Sequence, residues 1–90
     1  MSDRFACAKK FELDSGKLSR TAELMLTKRR VSRIPGMDAY LYACEVEAET
    51  IGDAGIVSRD MLLALLKPYG VEIIITDSSV RRLPSPDPGR

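Results

Sequence analysis

Ala39-Tyr40-Leu41-Tyr42-Ala43-Cys44-Glu45-Val46-Glu47-Ala48-Glu49-Thr50 is the stretch on which the fold turns. Tyr40, Tyr42, Cys44, Val46 and Ala48 share one face at period two, and Leu41, Ala43, Glu45, Glu47 and Glu49 share the other. Alternation of this length reads as a strand with one face on a core and the far half of the other face wet. Such a strand needs neighbours in a sheet and a layer to pack against.

Upstream, Arg4 to Leu13 alternates too. Phe5, Cys7, Phe11 and Leu13 fall on one side, with Lys9 breaking the row, and Asp14-Ser15-Gly16 signals a turn. Leu18 to Val31 supports two readings. Leu18, Ala22, Met25 and Leu26 form a helical stripe that Ser19 can cap. Met25, Thr27, Arg29 and Val31 also alternate, and Ile34-Pro35-Gly36-Met37 supplies a type II turn for a hairpin pairing Val31 with Tyr40. The helical reading, to about Lys28 with an extended basic segment after it, is favoured.

Downstream, Ile51-Gly52-Asp53-Ala54-Gly55 reads as a loop. A helix is expected from about Arg59 to Tyr69, with Ser58 as N-cap, Val57 and Leu62 as a hydrophobic staple, and Pro68 and Gly70 at its end. Val71 to Thr76 is a strand whose Ile73, Ile74 and Ile75 are apolar on both faces, so a central position in the sheet is expected. These elements predict a small single α+β domain over residues 1–82: a three- or four-stranded sheet with one or two helices packed on one face. Residues 83–90, rich in proline, are expected to form a loose tail.

The total charge of +1 conceals a division. From Met1 to Gly36 nine basic residues stand against four acidic ones, and from Met37 to Val80 eight acidic residues stand against two basic ones. Such asymmetry speaks to partners more than to fold. Histidine is absent, which removes the commonest general base near neutral pH and the commonest transition-metal ligand. Cys7 and Cys44 alone do not make a zinc site, and no cofactor is expected. The longest apolar run, Met61 to Leu66, is too short to span a membrane, and charges interrupt the start of the chain, so a cytoplasmic location is expected.

Three features are candidates for function. Met61-Leu62-Leu63-Ala64-Leu65-Leu66 is apolar all round, more than one packed helix face requires. Met61, Leu62, Leu65 and Leu66, with Ile73 and Ile75, are therefore assigned as contacts to a second copy or a protein partner. Lys28, Arg29, Arg30 and Arg33, extended by Arg81 and Arg82, form a basic patch suited to phosphates, so nucleic acid is the alternative partner. Pairing of the basic segment with Glu45, Glu47 and Glu49 on a neighbouring strand is the blander reading, and it is slightly favoured. Both thiols read as structural, and no pair of groups recommends itself for catalysis.

Tyr42 to Leu66, with Gly52, Asp53 and Gly55 between a strand and a helix, resembles part of the 6-pyruvoyl-tetrahydropterin synthases. That family's zinc histidines have no counterparts here, so the resemblance implies at most a catalytically inactive relative, and no membership is assigned. The reading that remains is a non-enzymatic interaction module that self-associates and binds another macromolecule, with charge complementarity setting register.

Overall fold

The alternating residues of the first segment make it the spine of the sheet. In the computed structural model, which describes residues 2–84, the chain runs β1 (Asp3–Ser15), α1 (Arg20–Thr27), β2 (Val31–Arg33), β3 (Tyr40–Ala48), α2 (Ile51–Leu66), a 3-10 turn (Lys67–Tyr69) and β4 (Glu72–Arg82). The sheet is antiparallel throughout, in the order β2-β3-β1-β4. The small α+β domain with a four-stranded sheet is as the alternation predicts.

Both helices cover one face. Phe11, Tyr40, Tyr42 and Val31 from the strands join Leu26 of α1 and Leu62 and Leu66 of α2 in the main core cluster. A second cluster unites Phe5, Cys7, Val46 and Ala48 with Ala54 of α2. The buried polar residues Lys9 and Ser58 lie in sequence between the members of these two clusters. The other face, with Ala6, Ala8, Lys10, Leu41, Ala43, Glu45 and Glu47, carries no helix. A smallest molecular extent of 20 Å fits one sheet and one layer of helices.

Local chemistry explains the helix ends. Ser19 caps α1, its Oγ accepting from Ala22 N–H at 3.0 Å. The helical reading of this segment therefore holds, and the short β2 follows it. β2 pairs Val31 with Tyr42 and Arg33 with Tyr40, two residues away from the register of the hairpin alternative. The turn itself is as expected: Gly36 has φ +77° and Met37 N–H donates to Ile34 C=O at 3.1 Å.

Several expectations need correction. Ile51 to Gly55 is not a loop but the start of α2, and Ser58 is not its cap. Thr50 Oγ1 accepts from Asp53 N–H at 3.0 Å, and Asp53 sits in the first turn where the helix dipole favours it. The two glycines disguised this start, since glycine disfavours a helix interior. At Gly55 α2 lies over β4: a Cβ there would meet Val80 Cγ2 at 3.9 Å, an ordinary packing distance, so space does not demand glycine at this position. Ser58 is wholly buried, its Oγ donating to Gly55 C=O at 3.0 Å, so no staple forms around it. The glycine loop behind the synthase resemblance is thus absent.

The isoleucine strand is not central. β4 pairs only with β1 and forms an edge. Ile73 and Ile75 turn toward the core, whereas Ile74 lies on the helix-free face and stays 52% exposed. Its apolarity on both faces therefore does not reflect burial on both. α2 ends at Leu66, and the 3-10 turn closes at Gly70, whose φ of +66° requires the left-handed region. Leu83 N–H donates to Arg4 C=O at 2.8 Å, so the chain stays attached at the start of the expected tail. Residues 85–90 of that tail lie outside the described residues.

Candidate functional site

The two ends of β2 define the site. β2 covers β3 only from Tyr40 to Tyr42. Ala43 N–H donates to Arg30 C=O at 3.2 Å, and Ile34 N–H donates to Ala39 C=O at 2.8 Å. The odd-numbered residues of β3 thus direct their peptide groups away from β1. By the alternation of an antiparallel ladder, the N–H and C=O of Glu45 and Glu47 then face an open edge.

A groove runs along this edge. One part, about 410 Å³, is lined by Lys28, Arg29, Arg30, Tyr42, Ala43, Cys44 and Glu45. The adjoining part, about 370 Å³, is lined by Arg29, Tyr42, Met61, Ala64 and Leu65. Arg29 and Tyr42 belong to both. One wall is apolar, from α2, and one lip is cationic, from the α1–β2 connection. Val57, one turn before Met61, extends the apolar wall and is 39% exposed, as is Met61.

The floor is neutral. Burial, and then a hydrogen bond with Cys44, pushes the Tyr42 hydroxyl up to about 12. Burial also pushes the Cys44 thiol up from its ordinary value, against the pull of Tyr42 and Lys9. At neutral pH the floor therefore presents a phenol and a protonated thiol, chemistry suited to contact and not to nucleophilic attack. Lys9 is 3% exposed and its Nζ donates to Ser78 Oγ at 2.7 Å. Cys7 Sγ donates to Ala54 C=O at 3.8 Å.

The cations of the lip carry no ion pair among the described residues, and the expected pairing with strand acids does not form. Glu45 pairs with Arg4 of β1 at 2.6 Å instead. These two are diagonal neighbours on the helix-free face, since Arg4 is opposite Glu47. Arg33 is separated from the lip and fully engaged. Its Nη2 donates to Glu23 Oε2 at 2.9 Å and to Tyr40 Oη at 3.1 Å, and its Nη1 pairs with Asp38 at 3.4 Å. Tyr40 Oη donates to the same Glu23 oxygen at 2.6 Å. The hydrogen bond from Tyr40, then that from Arg33, holds the Glu23 carboxyl below its ordinary range. Arg82 lies near Asp3 at 3.5 Å and over the Phe5 ring at 5.6 Å. Arg81 sits on the far edge strand, so the six-cation patch is dispersed, and Lys28, Arg29 and Arg30 remain together.

Arg30 has φ +67° and is the one non-glycine residue among those described with positive φ. It follows α1 where such a conformation ends helices, and glycine would adopt it at lower cost. Of the apolar contact candidates, Met61 and Leu65 line the groove. Leu62 and Leu66 are 0% and 2% exposed and belong to the core. Ile73 and Ile75 are half-buried on β4. Sequence reading missed Tyr42 and Ala64 as groove residues, because nothing in their spacing shows that β2 stops after three residues.

Among the described residues, no group of three His, Cys, Asp or Glu side chains comes together to hold a metal ion, and no helix is long and apolar enough to cross a membrane. No family model, curated protein or solved structure matches this chain.

Proposed function

We propose that this chain is a non-enzymatic interaction module that self-associates and takes an extended, acidic segment of another protein into the groove beside β3. The observation that carries the reading is the coincidence of an open main-chain edge at Glu45 and Glu47 with three cations that no acid neutralises among the described residues. A strand added there gains main-chain hydrogen bonds from the edge. Its inward side chains lie against Val57, Met61 and Leu65, and its carboxylates meet Lys28, Arg29 and Arg30. A cytoplasmic setting suits two free thiols, Cys7 and Cys44.

Nucleic acid is the weaker alternative. It has the same three cations but leaves the strand edge and the apolar wall without a role. The test is titration of the protein with an acidic peptide of alternating Glu and Val, and in parallel with a single-stranded oligonucleotide of equal charge, at low salt. Tighter binding of the peptide, with slowed hydrogen exchange at the Glu45 and Glu47 amides, is expected. Oligonucleotide binding without that protection supports the alternative, and failure of both probes to bind overturns the groove reading.

A further inference from the structure

We infer that the β4 edge is the self-association surface, and that a second copy pairs its own β4 antiparallel to it to make one continuous eight-stranded sheet. This inference rests on the self-association half of the function proposed above. It begins with the main chain. Leu83 N–H bonds Arg4 C=O, and the register continues as Ala6 with Arg81, Ala8 with Ser79 and Lys10 with Asp77. Ladder alternation therefore spends Asp77, Ser79 and Arg81 on β1 and turns the N–H and C=O of Ser78 and Val80 outward. A register shift between Lys10 and Phe11 inserts Thr76 as an extra residue, after which Ile74 faces Glu12 of β1 and the peptide groups of Ile73 and Ile75 turn outward.

The extra residue decides which self-pairing works. Ile73, Ile75, Ser78 and Val80 are opposite Leu13, Phe11, Lys9 and Cys7, so all four lie on the helix side. Glu72, Ile74, Ser79 and Arg81 lie on the bare side. An antiparallel twofold between Thr76 and Asp77 sets Ile73 against Val80 of the second copy and Ile75 against its Ser78, all with outward peptide groups. The same twofold sets Glu72 against Arg81 of the second copy and Ile74 against its Ser79 on the bare face. A slip of one residue sends helix-side residues to the wrong face, and a slip of two loses the charge pairing.

Charge and burial favour a second copy as the occupant. Glu72 and Arg81 stand at opposite ends of one strand, and neither has an ion-pair partner among the described residues. An isologous contact converts that polarity into two cross-copy pairs. The flank of α2 above β4 is also unfinished. Gly55 faces Val80, and Leu63, two turns on, is 45% exposed, with Ile56 beside it at 53%. An added strand extends the sheet beneath this flank. Asp77 Oδ1 already accepts from Ser78 N–H at 2.8 Å, so the strongest main-chain pairing falls at Ile73 and Val80, away from the dyad.

The test is charge exchange read by sedimentation equilibrium of the full chain. Glu72→Arg and Arg81→Glu alone should each weaken the dimer by about tenfold, as two attractive pairs become repulsive, and the double variant should restore it. Both positions are exposed, and circular dichroism checks that each variant folds. As a second measurement, a variant with Ile74→Cys and Ser79→Cys together should form a disulfide-linked dimer under mild oxidation, while each single substitution should not. A wild-type dimer indifferent to both sets of changes overturns the β4 assignment and leaves self-association standing. A wild-type chain that stays monomeric at millimolar concentration overturns the assignment and self-association together.

Discussion

The two edges of the sheet are open in different ways. On β3 the edge is interrupted: β2 occupies Tyr40 to Tyr42, and the free part is bordered by the cations Lys28, Arg29 and Arg30 and by the apolar wall of α2. On β4 the edge is continuous from Glu72 to Arg82, and its charges are of both signs. A one-sign border selects a partner of the other sign, whereas a strand with opposite charges at its two ends is complementary to itself. On the function proposed above, this difference in strand length and charge pattern is what assigns a hetero-contact to one edge and a homo-contact to the other.

The largest effect that tests this separation comes from the core beneath both edges. Leu62→Ala removes a fully buried side chain of the main cluster and should cost roughly 2–5 kcal/mol in urea unfolding. Met61→Ala, next to it but exposed in the groove, should cost well under about 1 kcal/mol and instead weaken capture of the acidic peptide. Equal destabilisation by both would mean that the groove wall belongs to the core.

Next in size is the combined replacement Lys28→Ala, Arg29→Ala and Arg30→Ala. It should reduce acidic-peptide affinity by at least about tenfold at low salt, with the loss shrinking as salt rises. Dimerisation measured on the same variant should not change. A variant that loses both functions would show that the two edges do not act separately.

How much of this contrast was legible beforehand depended on range. Period-two alternation exposed β1 and β3, because burial of one face stamps the side chains directly. Ser19 announced α1 and Pro35-Gly36 announced the turn. Lys9 looked like a break in the pattern, yet it is buried in the row, with Ser78 from a strand distant in sequence accepting its hydrogen bond; no local rule contains that partner. The start of α2 runs through two glycines and is fixed by the packing of Ala54 and Ser58 in the interior, and the edge position of β4 reflects a sheet order in which the first strand becomes central. Both are tertiary facts. The basic triplet was visible as a run, but that Glu45 pairs across the sheet with Arg4 and not with the triplet is a contact between distant parts of the sequence.

A smaller effect concerns how α1 is held beside the β3 edge. Glu23 accepts from Tyr40 and Arg33, and these bonds keep its folded-state pKa below the ordinary 4.5. A depressed carboxylate adds stability that is present above its unfolded value and lost as pH falls through the lowered folded value. Glu23→Gln should therefore cost about 1 kcal/mol at neutral pH, allowing for the partial exposure of the pair, and should flatten the loss of stability below pH 4.5. Urea titrations at pH 7 and pH 3 measure both arms. An unchanged acid limb would show that the network does not hold α1.

The smallest effect is the most specific to the site. Arg30 holds φ +67° without being glycine, a conformation that costs an L residue roughly 1–2 kcal/mol. Its carbonyl receives Ala43 N–H, which ties the cationic lip to β3, and its side chain lines the groove. Arg30→Gly keeps that carbonyl bond and relieves the backbone, so thermal unfolding should show a gain of up to about 1 kcal/mol, reduced by the entropy glycine restores to the unfolded chain. Removal of one cation should at the same time weaken the acidic peptide by a few-fold. Opposite signs in stability and binding would mean that strain is retained at this position for the side chain it carries. A gain in stability with undiminished binding would exclude Arg30 from the lip and leave Lys28 and Arg29 to set the polarity of the β3 edge.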